Sequence, residues 1–214
     1  GPCLLKASEV AVPGDPSSAA FIACAAALVR GSDIVIEDVS LNTARIGFTR
    51  TLERMGADVT LRHKGAEGKE PFGSISVRHV PNLHGCEVPA EKIASIVDEV
   101  PVLALVAAHA RGVTVFREVG ELRVKETDRL AAVVEGLALL GVDAWEDGND
   151  LFVEGQPGLS VPSGLVLDSK CDHRLAMTWA LAGLAGSAPV AVKNFDSVKI
   201  SYPQFLSDMQ RLAQ

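Results

Sequence analysis

Five charged side chains fall within seven residues of one segment, ELRVKETDRL (121 to 130): Arg123, Lys125, Glu126, Asp128 and Arg129, directly ahead of an apolar helical pattern. Lys125 and Arg129 are four apart, the spacing that places two cations on one face of a helical turn. Cations at a helix N-terminus oppose the helix dipole, so such a face asks for a compensating anion. The segment reads either as a solvated charge run or as a site. In the second case Lys125 and Arg129 bind phosphate or carboxylate, and Glu126 between them transfers a proton. A second concentration, DHRLAM (172 to 177), puts Asp172, His173 and Arg174 at the start of an otherwise apolar helix. Asp172 suits a cap and His173 reads as fringing the core, whereas the planar guanidinium of Arg174 can hold a carboxylate or phosphate bidentately. Asp98 and Glu99 open a third apolar helix, directly after ASIV. A capping role is expected for this pair; beside a cation such as Lys125, Asp98 also stays ionised and can accept a proton from a hydroxyl. In VPGDPSSAAF (12 to 21), Asp15 is the expected N-cap and Pro16 the first helical residue, which suits an ordinary capped helix or an anion site.

These starts recur because the chain repeats. Asp15, Asp98 and Asp172 each precede an Ala-rich apolar helix, and each helix is followed by a β-branched run at 34 to 39, 113 to 119 and 190 to 195. Amphipathic helices are expected next, roughly over 43 to 55, 125 to 140 and 202 to 213. The first two end alike, LERMGADVTL and LALLGVDAWE, with Gly56 or Gly141 as a stop before a strand. Hairpins follow, pairing 58 to 62 with 74 to 80 and 143 to 146 with 151 to 154. The third copy reaches Leu212-Ala213-Gln214 where its Gly stop would stand, so its last strand pair is expected to be missing. The pattern predicts an α/β domain, 1 to 214, of three pseudo-repeated βαβαββ units whose helices open toward one side. No G-x-G-x-x-G follows the first strand, which argues against a dinucleotide-binding sheet.

Composition excludes several classes of function. A 48% hydrophobic and 22% charged chain fits a folded domain, and a net charge of −7 opposes a nucleic-acid partner. The longest uncharged run, 175 to 192, is interrupted by Gly183, Gly186, Ser187 and Pro189, so no membrane span is expected. Residues 1 to 15 carry Lys6 and Glu9 and no long apolar run, unlike a secretory leader. Cys3, Cys24, Cys86 and Cys171 are widely spaced, which points to reduced, cytoplasmic surroundings without a zinc site or disulfide framework. Cys24 and Cys171 read as small residues of Ala-rich helices.

Taken together, VPGDPSSAAF, ARIGFTRTLERMGADV, SIVDEVP, ELRVKETDRL, CDHRLAM and SYPQF resemble the enolpyruvyl transferase family, in its 5-enolpyruvylshikimate-3-phosphate synthase branch. The resemblance covers essentially the whole chain but only the second half of such an enzyme. It implies one lobe of an inside-out α/β barrel, the C-terminal lobe, with the N-terminal lobe as its missing partner. It further implies transfer of the carboxyvinyl group of phosphoenolpyruvate to the 5-hydroxyl of shikimate 3-phosphate, without metal or organic cofactor. Through the resemblance, Asp98 is the base for that hydroxyl, Lys125 contacts shikimate 3-phosphate and the reacting centre, and Glu126 protonates the methylene carbon. Arg129 and Arg174 would grip phosphoenolpyruvate, and Lys199 is a further candidate ligand. Two positions depart from the pattern: Glu121 stands where many members carry Asn, and Lys199 is displaced relative to the aromatic-Pro pair Tyr202-Pro203. The isolated chain is expected to be inactive. A lobe of a UDP-N-acetylglucosamine enolpyruvyl transferase and a non-catalytic assembly domain are the alternatives.

Overall fold

The fold is that of a computed structural model, which describes residues 9 to 212. The readings made of Cys3, Lys6 and residues 213 to 214 fall outside them. Three helices form its centre: α1 (Pro16–Leu28), α4 (Val100–Ala108) and α6 (His173–Ala185) pack pairwise against one another. Their sequences explain the placement, since a helix that is apolar on all sides has no face for water. Every residue of α4 is buried, as is most of α1, and alanines let the backbones approach closely.

Each central helix belongs to one copy of the repeat. In the first, α1 is followed by β1 (Asp33–Ser40), α2 (Gly47–Arg54), β2 (Asp58–Glu67) and β3 (Glu70–Arg78), which form a sheet of order β1-β3-β2. Gly14 adds a parallel bridge to Val39 on the free side of β1. The second copy is complete. After β4 (Glu87–Val88), the short α3 (Ala90–Ile93) and α4 come β5 (Gly112–Phe116), α5 (Arg129–Leu139), β6 (Asp143–Asp147) and β7 (Asp150–Gly155). Its sheet has the order β4-β5-β7-β6, with β4 parallel to β5 and the other pairs antiparallel. In the third, β8 (Val166–Asp168) pairs parallel with β9 (Ala191–Lys193) across α6, and α7 (Val198–Ser201) and α8 (Phe205–Leu212) follow. Among the described residues no strand comes after β9.

Backbone conformation marks the same repeat. Asp38, at the bulge before the last two residues of β1, and Glu118 and Asn194, just beyond β5 and β9, have φ of 54°, 53° and 58°. The stops expected at Gly56 and Gly141 have φ of 89° and 84°, which glycine adopts without steric cost. The helices lie inside and the sheets outside, the inside-out arrangement expected.

Several boundaries differ from the sequence reading. The first hairpin runs much further, to Glu67 and Glu70, because the polar stretch HKGAEG continues the ladder to a tight Gly68-Lys69 turn. The third amphipathic helix is interrupted between Ser201 and Phe205, where Pro203 lacks the N–H that a continuous helix needs. Cys171 is not a helical core residue: it is exposed, with φ of 61°, in the turn before α6. Cys24 is buried in α1 as expected, and burial pushes its thiol far above the usual range.

Candidate active site

The N-terminal ends of α4, α5 and α6 meet, and their charges meet with them. The largest correction concerns the segment before α5. Gly120–Val124 is a 3₁₀ turn, Lys125 is extended, and α5 begins only at Arg129, where the Asp128 side chain caps it by accepting from the Ala131 N–H at 3.0 Å. Lys125 and Arg129 therefore do not share a helical face. Asp128 takes the helix start because its short carboxylate reaches the free N–H groups that Lys125 could only repel.

The charge run divides in two. Arg123 donates to Glu146 at 2.5 Å and to the Gly148 carbonyl at 3.0 Å, fastening the 3₁₀ turn to the β6–β7 hairpin. Lys125, Glu126 and Arg129 turn to the cluster. Arg129 is at its centre and only 1% exposed. Its Nε donates to Asp172 at 2.7 Å, Nη1 to Asp98 at 2.9 Å and Nη2 to Glu126 at 2.5 Å. Three carboxylates thus hold one guanidinium, and two of them, Asp98 and Glu126, sit on neighbouring nitrogens of the same planar group.

Asp172 has two tasks. It caps α6 by accepting from the Arg174 and Leu175 N–H groups at 2.8 and 3.3 Å, and the same carboxylate is the buried counter-ion of Arg129. Asp98 does not cap α4 as expected. It lies in the 3₁₀ turn Val97–Glu99, which presents its side chain to cations instead of to backbone N–H groups. Arg174 Nη2 approaches it at 3.5 Å and Lys125 Nζ at 3.7 Å. Burial opposes ionisation of Asp98, but the combined field of Arg174, Lys125 and Arg129 outweighs it and holds the carboxyl below its ordinary range. Lys125 donates to Glu121 at 2.5 Å, and this bond, acting against burial, keeps its ammonium protonated to higher pH than usual. His173 lies 4.0 Å from Glu126, but burial and the Arg174 charge push its pKa down, so near neutrality it is an uncharged ring.

The set comprises an ionised carboxylate, a second carboxylate half open to solvent, and cations that can polarise an anionic reactant, which is the equipment of general acid–base chemistry on a charged substrate. The EPSP synthase (3-phosphoshikimate 1-carboxyvinyltransferase) family model matches residues 1 to 209. The chain belongs to the EPSP synthase family. It is 42% identical over 208 residues to the 3-phosphoshikimate 1-carboxyvinyltransferase of Persephonella marina, covering 97% of this chain and 48% of that protein. Its identity to the enzyme of the same name from Roseobacter denitrificans is 45% over 209 residues, 97% of this chain and 46% of that one. The chain spans about half the length of the curated relatives it matches. Among solved structures, an EPSP synthase from Acinetobacter baumannii superposes with a TM-score of 0.89 at 34% identity, over 95% of this chain and 46% of that one. The enolpyruvyl transferase NikO from Streptomyces tendae has a TM-score of 0.74 at 22% identity, over 92% of this chain and 42% of its own, a likeness of fold.

Of the residues singled out by sequence, this EPSP synthase family chain brings together Asp98, Lys125, Glu126, Arg129 and Arg174. Lys199 is not joined to them: it is an exposed residue of α7, paired with Asp196 at 2.6 Å. Glu99 was read only as a capping partner of Asp98. It is 3% exposed and accepts from Arg174 Nη1 at 3.1 Å. Its signal in the sequence was an acid directly ahead of an entirely apolar helix, which a cap explains equally well. A surface hollow of about 710 Å³ lies elsewhere, on the outer face of the first sheet, where Arg78 and Lys64 are paired with neighbouring acids.

Proposed function

We propose that this chain is the C-terminal lobe, 1 to 214, of a two-lobe 3-phosphoshikimate 1-carboxyvinyltransferase, and that its charged cluster is half of the active site. The observation that supports this best is the convergence of Asp98, Lys125, Glu126, Arg129 and Arg174, drawn from three separate segments, on one network. In the proposed reaction Asp98 takes the proton of the 5-hydroxyl of shikimate 3-phosphate as its oxygen bonds to C2 of phosphoenolpyruvate. Glu126 gives a proton to the methylene carbon, which becomes a methyl group. A methyl proton then returns to the Glu126 carboxylate as phosphate departs, which restores the double bond in the product ether. Arg174 and Arg129 neutralise the donor's carboxylate and phosphate, and Lys125 serves the acceptor and the reacting centre.

The charge balance supports a missing partner. Five carboxylates, Asp98, Glu99, Glu121, Glu126 and Asp172, face three cations in the network. Two anionic substrates need cations from another surface, which we assign to an N-terminal lobe. The unpaired Cys24, Cys86 and Cys171 support a reducing, cytoplasmic setting. Among the described residues no helix is long and apolar enough to cross a membrane.

The experiment is phosphate release from shikimate 3-phosphate and phosphoenolpyruvate, by the chain alone and after mixing with a matching N-terminal lobe. Turnover only in the mixture is expected. Turnover by the chain alone would refute the half-site, and silence in the mixture would leave an assembly domain.

A further inference from the structure

Arg174 has five N–H groups, and what holds some of them decides where the others are offered. Its Nη1 is occupied by two fixed acceptors, the Glu99 carboxylate at 3.1 Å and the Asp98 carbonyl at 3.2 Å. Among the described residues, Nη2 has only the distant Asp98 carboxylate at 3.5 Å. The Nε–Nη2 edge, the fork that matches a carboxylate or phosphate, is thus the one left for a ligand.

Glu99 is well built to set that orientation. It follows Asp98 in the 3₁₀ turn, and its side chain is 4% exposed. It therefore ties the start of α4 to the first turn of α6. We propose that Glu99 is a positioning residue: its buried carboxyl fixes Nη1 of Arg174, so that the Nε–Nη2 edge is presented to the enolpyruvyl donor. The inference rests on the role proposed for Arg174. It is a matter of reach more than of charge. Burial raises the pKa of Glu99 against the pull of Arg174 and Ser17, and an amide of the same length keeps an acceptor oxygen where the carboxyl now meets Nη1 at 3.1 Å.

Two conservative variants separate reach from charge in the two-lobe enzyme. Glu99→Gln keeps the length and an acceptor oxygen, and its KM for phosphoenolpyruvate should stay within about threefold of wild type. Glu99→Asp keeps the charge but draws the carboxyl back by one methylene. Its KM for phosphoenolpyruvate should rise about tenfold or more, the equivalent of one charge-assisted hydrogen bond, with kcat and the KM for shikimate 3-phosphate little changed. An unchanged donor KM in Glu99→Asp, or an equal rise for both substrates, would overturn the proposal. If the wild-type mixture shows no turnover, the assigned reaction has failed, and the arginine Nε–Hε NMR resonances of the chain alone still decide the positioning. The Arg174 signal, assigned by its loss in Arg174→Lys, should shift in Glu99→Asp and hold in Glu99→Gln. An unmoved signal in Glu99→Asp refutes the anchor.

Discussion

Asp98 and Glu126 share one guanidinium, so their separation is set by the geometry of Arg129 and not by two flexible side chains. Replacing Asp98 by Asn or Glu126 by Gln should lower kcat of the two-lobe enzyme by about 10²- to 10⁴-fold, the usual contribution of a proton-transferring group. The chain should remain folded by circular dichroism, because both carboxylates are partly exposed. Arg129 and Asp172 differ: they are 1% and 0% exposed, and each is the other's buried counter-charge. Asp172→Asn leaves the guanidinium short of its deepest partner and should destabilise the fold by about 3 to 5 kcal/mol, measured by urea unfolding. Arg129 is 1% exposed and each of its nitrogens has an acceptor, so a donor carboxylate reaches it most readily in exchange for Glu126, the most exposed of the three partners. That exchange would release the proposed acid at the moment the substrate arrives.

At the scale of elements, the cluster depends on how closely α5 lies on α6. Gly136 of α5 faces Trp179 of α6, and a Cβ at Gly136 would come within 2.3 Å of the indole ring. Gly136→Ala should cost about 1 to 3 kcal/mol by overpacking. It should also reduce activity, since Arg129 and Arg174 are carried by these two helices; urea unfolding and phosphate release measure the two effects. The opposite end of the core offers a pH test. His109 caps the end of α4, its Nε2 is buried without a partner among the described residues, and burial lowers its pKa to about 4. Arg111 and His84 line the same hollow. Its folded pKa lies below the unfolded value of about 6.5, so the unfolded chain binds the proton more readily. Stability from this group is therefore complete above about pH 6.5 and falls as pH drops toward 4. Thermal melts between pH 8 and 4 should show that loss, and His109→Gln should reduce it.

For the whole molecule, a net charge of −7 and a site with more carboxylates than cations make the isolated chain a poor anion binder. Its cations are already paired with those carboxylates, so an incoming anion must compete with Asp98, Glu99, Glu121, Glu126 and Asp172 for them. Phosphoenolpyruvate should bind the chain alone with Kd above about 1 mM by calorimetry, a free energy weaker than about −4 kcal/mol. Addition of the N-terminal lobe should tighten it at least tenfold.

The repeat was legible in the chain because it is written in local chemistry. All-apolar helices must be central, Gly56 and Gly141 must end helices, and β-branched runs must pair, whatever surrounds them. The stretch 125 to 128 was misread because helical spacing in a sequence says nothing of where the helix starts; the short carboxylate of Asp128 decided that. The charged residues that converge could be named from Asp98 to Arg174, yet their partners could not. That Arg129 is enclosed by Asp172, Asp98 and Glu126, and Arg174 held by Glu99, follows from three helix ends meeting in space. Sequence determined which charges the protein places at helix starts; only the tertiary structure decided which charge neutralises which, because ion pairing falls off with distances that a linear chain does not contain.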